Sequence, residues 1–446
     1  MKNINATNII LLVLAALVLG FLFSAKIDLT TADLGRHLKN GEVIINGTTE
    51  ERSAVLNQNF YSYTSPEHPF VNHHWLSGVL YFLIFKIGGF EALSLLNISL
   101  LLGAILFIFL ISKDLAGKWL SILSVLIVMP LISSRLEVRP ESFTYILFAL
   151  FLFVLWKVHT GKISPKYLYI LAPLQLLWVN LHIGFVFGAL LMSSFTTLHL
   201  VLLILKKENQ FKTFFVVSLL SAFTTFINPH LVSGALYPLH IFDGYGYRIV
   251  ENQSIIFLQN LNFYQPSFLV WWILALSISV GILFCIKKNI KDTDFWLITS
   301  LWIIFATLSS LAIRNFPIFG MFSIFMICFL VGKISKTENE LFKQIVWVIL
   351  FCLGVFGFLR SLTSILGTTR GLGIYEGTFA SVEFFKANNL KGPIFNNYDL
   401  GGFLIYSLWP NQKVFTDNRP EAYASNFFYD AYIPIQENLS LFKKTE

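Results

Sequence analysis

Long apolar runs separated by short polar segments dominate the pattern along this chain. Most runs approach twenty residues, which is enough for a helix to cross about 30 Å of hydrocarbon. The fold class that we expect is therefore an all-α polytopic membrane protein rather than a soluble enzyme, a secreted disulfide scaffold or a disordered chain. The pattern predicts 11 transmembrane helices, over residues 8–25, 91–112, 119–134, 142–157, 167–182, 184–205, 213–228, 267–286, 294–312, 316–332 and 345–365.

Composition supports this interpretation. Charged residues make up only 13% of the chain, about half of the roughly 25% that soluble proteins carry. Cys285, Cys328 and Cys352 all lie in apolar runs, so we expect neither a disulfide framework nor a cysteine metal site. No small-residue cleavage site follows the first apolar run, which we interpret as a retained signal anchor.

The segment Trp75–Gly88 decides the predicted topology. It has about fourteen largely apolar residues, a length typical of an interfacial or re-entrant helix rather than a span. If it does not span, the lysines of the short loops gather on one side of the membrane, as the positive-inside rule requires. We therefore predict the N-terminus inside and the C-terminus outside, with Trp75–Gly88 at the outer surface.

The net charge of +7 reflects these loop lysines. No continuous basic face exists, so we expect no nucleic-acid partner.

This topology divides the chain into a multispanning membrane domain, residues 1–365, and an outer segment, residues 366–446. A large first outer loop, residues 26–90, and a second long outer loop, residues 228–266, interrupt the membrane domain. Long loops in compact folds are usually functional. We therefore look for chemistry at the outer face.

The outer segment reads as a small α/β unit. Residues 392–396 and 413–416 are predicted strands, and Leu400–Leu408 between them is a predicted short helix. Two strands are too few for an independent sheet. The segment is therefore either the start of a larger domain in an incomplete chain or a cap on the membrane part.

An acid near the start of the first outer loop is the first candidate for catalysis. If residues 31–40 are helical, Asp33 and His37 are four residues apart and share a face. A carboxylate close to an imidazole is suited to accept a proton from an attacking hydroxyl. The alternative is that Asp33 or Thr31 caps the short helix.

The histidines of this loop allow two further interpretations. His37, His73 and His74 could bind a divalent metal with Asp33 as a fourth ligand, although their spacing matches no compact ligand motif. His74 precedes Trp75, and tryptophan favours the headgroup level of a membrane. We therefore favour His74 as an interfacial anchor or a substrate contact.

Charged and polar residues at the other outer turns are the strongest site signal. Ser134–Glu141 places four charges next to hydrocarbon, which is costly unless they pair or line a wet cavity. A polar cavity at the outer face would explain why the outer turns are rich in charged and polar residues. The catalytic candidates are Asp33, His37 and Glu251, and the substrate-binding candidates are Arg36, His74, Arg135, Arg139, Asn180, His182 and Arg314.

Arginine and lysine separate across the predicted membrane. The nine arginines fall outside or at the outer boundary, whereas lysine carries the topological charge inside. The planar guanidinium binds phosphate oxygens in a two-point geometry that an ammonium cannot reproduce. The set therefore suggests phosphate binding, although pairing with Glu137 and Glu141 is an equally simple explanation for single arginines.

A retained first span, an outer loop with an early acid, a surface helix and many further spans together resemble the GT-C superfamily. These are membrane glycosyltransferases that use polyprenyl-phosphate sugars, such as the protein O-mannosyltransferases and the lipid A aminoarabinose transferase. The segment Asp33–Gly41 is similar to the opening motif of uncharacterised bacterial GT-C-like proteins. Further short landmarks are Arg135–Glu141, Trp178–His182, Asn228-Pro229 and Val414–Tyr423.

The resemblance implies that Asp33 is the first-loop acid that acts as general base or organises the acceptor. It also implies that the outer arginines, foremost Arg139 and Arg314, hold the phosphate leaving group. Many members have two adjacent acids here, whereas Asp33 is followed by Leu34 and its nearest acid is Asp28.

The leading hypothesis is a glycosyltransferase at the outer face of a bacterial cytoplasmic (inner) membrane. It would move a sugar from a polyprenyl-phosphate donor to a glycan, lipid or protein acceptor, with Asp33 as base and His37 or Glu251 assisting. No cofactor is assigned, and a divalent metal stays an open alternative. The competing hypotheses are a transporter or flippase of lipid-linked glycans and a non-catalytic scaffold of envelope assembly.

Overall fold

Helices account for nearly all regular structure in this protein. The structure, a computed structural model, describes residue 14 and residues 17–31, 33–207, 210–241, 246–367 and 369–443. Within these ranges no strand longer than an isolated bridge occurs. Together with the apolar helices below, this makes the chain an all-α membrane protein, as the hydropathy pattern predicts.

The first half of the chain contains the first outer loop and its neighbouring helices. These elements are α1 (residues 17–23), α2 (Leu34–Asn46), α3 (Thr49–Asn57), α4 (Trp75–Ile132), α5 (Glu141–His159), α6 (Leu171–Leu181), α7 (Phe185–Ile204), α8 (Phe211–Thr224) and α9 (Leu231–His240). A 3-10 helix, Pro165–Ile170, leads into α6.

The second half continues the membrane part and adds the outer segment. Its helices are α10 (Ile255–Asn260), α11 (Pro266–Lys287), α12 (Thr293–Leu311), α13 (Phe316–Ile334), α14 (Glu340–Leu366), α15 (Ala380–Ala387), α16 (Gly401–Leu408), α17 (Ile433–Glu437) and α18 (Leu439–Phe442). Short 3-10 helices cover Val250–Asn252, Ile313–Asn315 and Pro420–Ala422, and a π-helical turn covers Phe427–Tyr432.

Among the described residues, seven helices are long and apolar enough to cross a membrane: α4, α5, α7, α11, α12, α13 with its preceding turn, and α14. The predicted spans 167–182 and 213–228 correspond to shorter helices, α6 and α8. The predicted span 8–25 lies largely outside the described residues. The count of eleven and the inside–outside orientation stay predictions.

Helix α4 joins three predicted segments in one element of 58 residues. Its backbone leaves helical geometry at Gly88 and Gly89 and again at Gly117, where φ is positive at Gly89 and Gly117. Glycine adopts such φ values without steric cost, which explains the breaks. The segment Trp75–Gly88 is therefore a separate helical piece, and the predicted spans 91–112 and 119–134 lie on either side of Gly117.

The α/β prediction for the outer segment was wrong. The helix between the two predicted strands is present as α16, but the strands are reduced to a single parallel bridge between Ile394 and Val414. Val414 also bridges Ser62 of the first outer loop. Two short segments do not form a sheet alone. The backbone of the second segment instead bonds to the first outer loop, where Thr64 Oγ1 donates to Phe415 O at 2.7 Å.

Helix α13 forms the centre of the membrane part. All fifteen residues from Phe316 to Leu330 are buried. A helix that is apolar on every side belongs in the interior of a bundle. Its main neighbours are α4, α12 and α11.

Two glycine crossings fix the position of α2. A Cβ at Gly41 would lie 2.1 Å from Gly78 O, and a Cβ at Gly35 would lie 2.6 Å from Gly402 O. Only glycine permits backbones to approach so closely. Helix α2 is thereby held between α4 and α16, with Asp33 at its start.

Candidate functional site

Asp33 lies at the N-terminal end of α2, but its side chain makes no capping hydrogen bond. Oδ1 accepts a hydrogen bond from Asn418 Nδ2, and Oδ2 lies 3.8 Å from Arg139 Nη1. Burial raises the pKa of Asp33, and the nearby Arg139 and Arg36 reduce this effect without reversing it. The capping interpretation therefore does not describe this side chain. A raised pKa makes the carboxylate a better proton acceptor.

Three arginines that the sequence singled out are brought together, and one of them, Arg139, lies beside Asp33. Arg135 donates from Nε to Glu141 at 2.9 Å and from Nη1 to Glu251 at 2.7 Å. Arg139 Nη1 donates to the same Glu251 oxygen at 2.9 Å. Arg314 Nη2 donates to Glu141 Oε1 at 2.7 Å. The two glutamates thus tie three arginines into one largely buried network.

This network changes the roles expected for Glu251 and for the arginines. Burial alone would raise the pKa of Glu251, but Arg135, Arg139 and Arg314 outweigh burial and lower it to about 2. A carboxylate that stays ionised at all ordinary pH values is a poor base. The charges of Arg135 and Arg314 are likewise balanced by buried carboxylates. Arg139 also contacts the exposed Glu137, 2.5 Å from its Nε.

Arg36 differs from the other arginines of the site. Its side chain is 4% exposed, yet no carboxylate of the described residues lies within 4 Å of it. One hydrogen bond is present, from Nε to Asn418 Oδ1 at 3.3 Å. The carboxylates whose pKa Arg36 lowers, Asp33 and Glu421, are not directly bonded to it. A buried cation without a directly bonded anion is costly. Arg36 is therefore the guanidinium of this site with the greatest capacity to bind an anion.

Four histidine rings lie against one another beside α2. The ring centroids of His37 and His74 are 5.4 Å apart, those of His74 and His73 are 3.8 Å apart, and those of His74 and His182 are 5.2 Å apart. Burial lowers the pKa of each ring, to about 3 for His73 and His182. All four rings are therefore neutral at physiological pH.

The hydrogen bonds of His182 and His73 define where their protons lie. The backbone N–H of Gly184 donates to His182 Nδ1 at 3.0 Å, so this nitrogen is unprotonated and the neutral ring carries its proton on Nε2. His73 Nδ1 lies 3.1 Å from Val71 O, which can only accept, so Nδ1 carries the proton. His73 Nε2 and His37 Nδ1 are buried and have no hydrogen-bond partner. Such nitrogens are free to bind a ligand.

The divalent metal that the sequence allows finds no ligand set in the described part of the chain. No group of three or more His, Cys, Asp or Glu side chains there is arranged to hold a metal ion. We therefore assign no step to a metal.

Asn180 lies at the same face, but its amide group is hydrogen-bonded to neighbouring helices. Its Oδ1 accepts from Trp75 Nε1 at 2.9 Å, and its Nδ2 donates to Leu176 O and Ile227 O, each at 2.9 Å. These bonds connect the start of α4 to α6 and to the turn after α8. The geometry favours a structural role for this amide.

The sequence analysis names Val414–Tyr423 as a landmark but assigns no role to Asn418 within it. The structure places Asn418 against both Asp33 and Arg36. Arg419 and Asp417 form a fully buried ion pair beside it. The available signal was four polar residues in succession directly after the apolar pair Val414 and Phe415.

A cavity of about 380 Å³ opens on the other side of Glu137. Its wall combines the end of α1, the turn after α4 and the start of α11. Cationic, anionic and hydroxyl groups line it together, among them Lys26, Asp28, Thr31, Ser133, Arg370 and Tyr375. A mixed polar cavity at the end of several apolar helices is suited to a ligand with a polar head and an apolar tail.

Fold and site together define an all-α membrane protein with a buried cluster of charges at one end of its helices. The chain matches no family model, and no curated protein sequence matches it. The resemblance to GT-C glycosyltransferases therefore depends on the order of the predicted elements and on the short motifs given in the sequence analysis, and it stays an expectation.

Proposed function

We propose that this protein is a glycosyltransferase of the bacterial cytoplasmic membrane that uses a polyprenyl-phosphate sugar as donor. The observation that carries the proposal is the proximity of Asp33, a partly buried carboxylate whose Oδ2 accepts no hydrogen bond from the described residues, to Arg36, a buried guanidinium with no carboxylate of the described residues within 4 Å. One group accepts a proton and the other binds an anion. Glycosyl transfer from a phosphate needs both functions within one site.

The reaction follows from these two groups. The acceptor hydroxyl donates a hydrogen bond to Asp33 Oδ2, and Asp33 takes its proton as the acceptor oxygen attacks the anomeric carbon of the sugar. A bond forms between that oxygen and that carbon, while the bond between the carbon and the phosphate oxygen breaks. The departing polyprenyl phosphate keeps the electron pair, and Arg36 donates hydrogen bonds to it. Such preorganised donors contribute several kcal/mol of transition-state stabilisation.

This scheme assigns the phosphate contact mainly to Arg36 rather than to Arg139 and Arg314. Arg314 is bonded to Glu141 and Asn252, and Arg139 shares Glu251 with Arg135. Arg139 remains the second cation near the reacting groups, 3.8 Å from Asp33. His37 and His74 add neutral ring nitrogens that suit hydroxyl groups of a sugar or acceptor.

The carrier would reach the site from the side. The cavity beside Glu137 lies at the ends of α4 and α11, so a phosphate head can enter it while the polyprenyl tail stays between helices. The acceptor, a glycan, a lipid or a protein, would approach from the outer aqueous face. Neither substrate requires a nucleotide pocket.

Transfer assays with matched variants test the proposal. The purified protein in lipid vesicles is incubated with a panel of radiolabelled polyprenyl-phosphate sugars, and label released from the carrier is measured for wild type, Asp33→Asn and Glu67→Gln. Glu67 is an exposed carboxylate of the same loop that does not line the cavity, so its variant is the control. Release by wild type and Glu67→Gln but not by Asp33→Asn supports the proposal. Carrier that binds in an Arg36-dependent manner and is never cleaved by wild type contradicts transfer and favours the flippase or scaffold alternative.

A further inference from the structure

We propose that Asn418 is a positioning residue that orients both Asp33 and Arg36, so that the outer segment completes the site. This inference rests on the proposed function only in what it says about catalysis. The arrangement of the three side chains is a separate claim that can be tested without any substrate.

The Asn418 amide connects the two functional side chains directly. Its Nδ2 donates to Asp33 Oδ1, and its Oδ1 accepts from Arg36 Nε at 3.3 Å. Asp33 Oδ2 is left to face Arg139 and an incoming hydroxyl. A neutral amide combines a donor for a carboxylate with an acceptor for a guanidinium on two separate atoms. Asn418 therefore fixes the rotation of the carboxylate and the position of the guanidinium together.

The residues on either side of Asn418 make its backbone rigid. Asp417 and Arg419 are 0% and 2% exposed, and Arg419 donates to the two Asp417 oxygens at 2.7 and 2.6 Å. Arg419 also donates to Asn59 Oδ1 at 2.8 Å, and its guanidinium lies 4.6 Å from the ring centroid of Phe70. Two-point ion pairs of this kind are among the strongest side-chain contacts. Asn418 is thus presented by a turn that is anchored in the first outer loop.

Close backbone contacts bring this turn to α2. A Cβ at Gly401 would lie 2.4 Å from the Cα of Asp417, and a Cβ at Gly35 would lie 2.6 Å from Gly402 O. The glycine pair at the start of α16 therefore allows the turn, α16 and α2 to share one small volume. These close contacts explain how the side chain of Asn418, 385 positions along the chain from Asp33, can bond to it.

The test measures the ionisation of Asp33 directly. The full chain in lipid vesicles is treated with dicyclohexylcarbodiimide, which reacts with protonated carboxyl groups, and labelling of Asp33 is quantified by peptide mass spectrometry as a function of pH. The variants are Asn418→Leu, which removes the amide at similar volume, and Asn418→Asp, which places a second carboxylate against Asp33. Asn388→Leu, at an exposed amide of the same segment, is the control.

Loss of a hydrogen bond to the charged carboxylate disfavours ionisation. The labelling midpoint of Asp33 is therefore expected to move to higher pH by about one unit or more in Asn418→Leu and further in Asn418→Asp, with no change in Asn388→Leu. Thermal unfolding is measured alongside. If Asn418→Leu does not fold, Asn418→Asp decides, because its side chain keeps the size and the acceptor for Arg36. An unchanged midpoint in a folded variant overturns the inference.

The outcomes separate this inference from the proposed function. A shifted midpoint in a protein that transfers no sugar supports the positioning role and removes the glycosyltransferase proposal. Sugar transfer with an unshifted midpoint and an unaltered pH–rate profile in Asn418→Asp supports the enzyme and overturns the role of Asn418.

Discussion

Asp33 Oδ2 lies 3.8 Å from Arg139 Nη1, at a distance where the charges attract but share no hydrogen bond. Arg139 is meanwhile bonded to Glu251 and close to Glu137, so its charge is divided among three carboxylates. Asp33 consequently gains too little from Arg139 to offset its burial, and its pKa is raised. This partial pairing keeps Asp33 basic and makes it costly to ionise.

Asp33→Asn should abolish transfer and leave the protein equally stable or more stable. Because the pKa of Asp33 is raised on folding, the folded state binds more protons, and the free energy of unfolding falls as pH rises from 3.8 through the folded pKa. The asparagine side chain does not ionise, so the variant avoids this decrease in the free energy of unfolding at neutral pH. Thermal unfolding of both proteins between pH 4 and 8, with the transfer assay, checks the prediction. A marked destabilisation of Asp33→Asn at neutral pH would contradict it.

Glu251→Gln should destabilise the protein by about 3 kcal/mol, because it leaves Arg135 and Arg139 without their shared anion. Glu137→Gln is the matched control. Glu137 also pairs with Arg139, but its side chain is 61% exposed, and such pairs contribute little. Equal effects of the two substitutions on denaturant unfolding would show that the network is not the stabilising element.

The same glutamate predicts acid sensitivity. The pKa of Glu251 falls on folding from 4.5 to about 2, so the stabilisation from its charge is complete above pH 4.5 and is lost as pH falls towards 2. Wild type should therefore lose stability across this range more steeply than Glu251→Gln. Parallel unfolding slopes for the two proteins would be the contrary result.

Arg36→Gln should weaken the binding of a polyprenyl phosphate at least tenfold with little loss of stability. Arg36 has no carboxylate partner within 4 Å among the described residues, so its removal breaks no direct ion pair there. Arg52→Gln, at an exposed arginine bonded to Ile45 O, is the control. Affinity is measured by titration in lipid nanodiscs. Unchanged affinity in Arg36→Gln would move the anion site elsewhere.

Gly41→Ala should destabilise the protein by about 1–3 kcal/mol and reduce transfer, because the new methyl group would lie 2.1 Å from Gly78 O and push α2 away from α4. Gly20→Ala is the control. The nearest atoms to a Cβ at Gly20 are 3.7 and 4.0 Å away, so alanine fits there. Melting temperatures and transfer rates of the two variants are compared with wild type, and equal values for Gly41→Ala would refute the close crossing.

A second buried polar chain joins helices at the other end of the bundle. The backbone N–H of Gln210 donates to His199 Nδ1 at 3.1 Å, which leaves the His199 proton on Nε2, facing His159 Nδ1 at 3.3 Å. His159 Nε2 then donates to Asp294 Oδ1 at 3.1 Å. Each bond in this chain depends on the one before it.

Asp294→Leu should therefore cost about 1–3 kcal/mol, since His159 loses its acceptor, whereas Asp294→Asn keeps an acceptor oxygen and should cost clearly less. Unfolding in detergent at one pH measures both variants. Equal losses would show that charge, and not the hydrogen bond, is what His159 requires.

Local properties of the sequence predicted the membrane helices well. An apolar run such as 316–332 contains within itself the length and hydrophobicity that a membrane helix needs, and α13 follows it closely. The breaks of α4 at Gly88 and Gly117 are also local, because they depend on glycine backbones. The prediction of strands in the outer segment was wrong because strand pairing requires a partner strand, and the local sequence pattern does not show whether one is present.

The candidate site was predictable only in part. That Asp33, Arg135, Arg139 and Arg314 would meet followed from their places at the ends of apolar runs, because helix ends on one side of a membrane share a layer. Which of these side chains pair with one another did not follow from the runs. Pairing depends on helix rotation and on distances of a few ångströms.

The sequence alone determined that this chain is a helical membrane protein with its charges concentrated at the ends of its helices, since burial in lipid is a property of each apolar run. Only the tertiary structure decided that Glu141 and Glu251 neutralise three arginines, that Arg36 has no carboxylate of the described residues within 4 Å, and that Asn418 contacts Asp33. The physical reason is the separation along the chain over which each property is determined. The hydrophobicity of a membrane helix depends on neighbouring residues, whereas the pairing of charges depends on atoms from distant parts of the chain that lie close together in space.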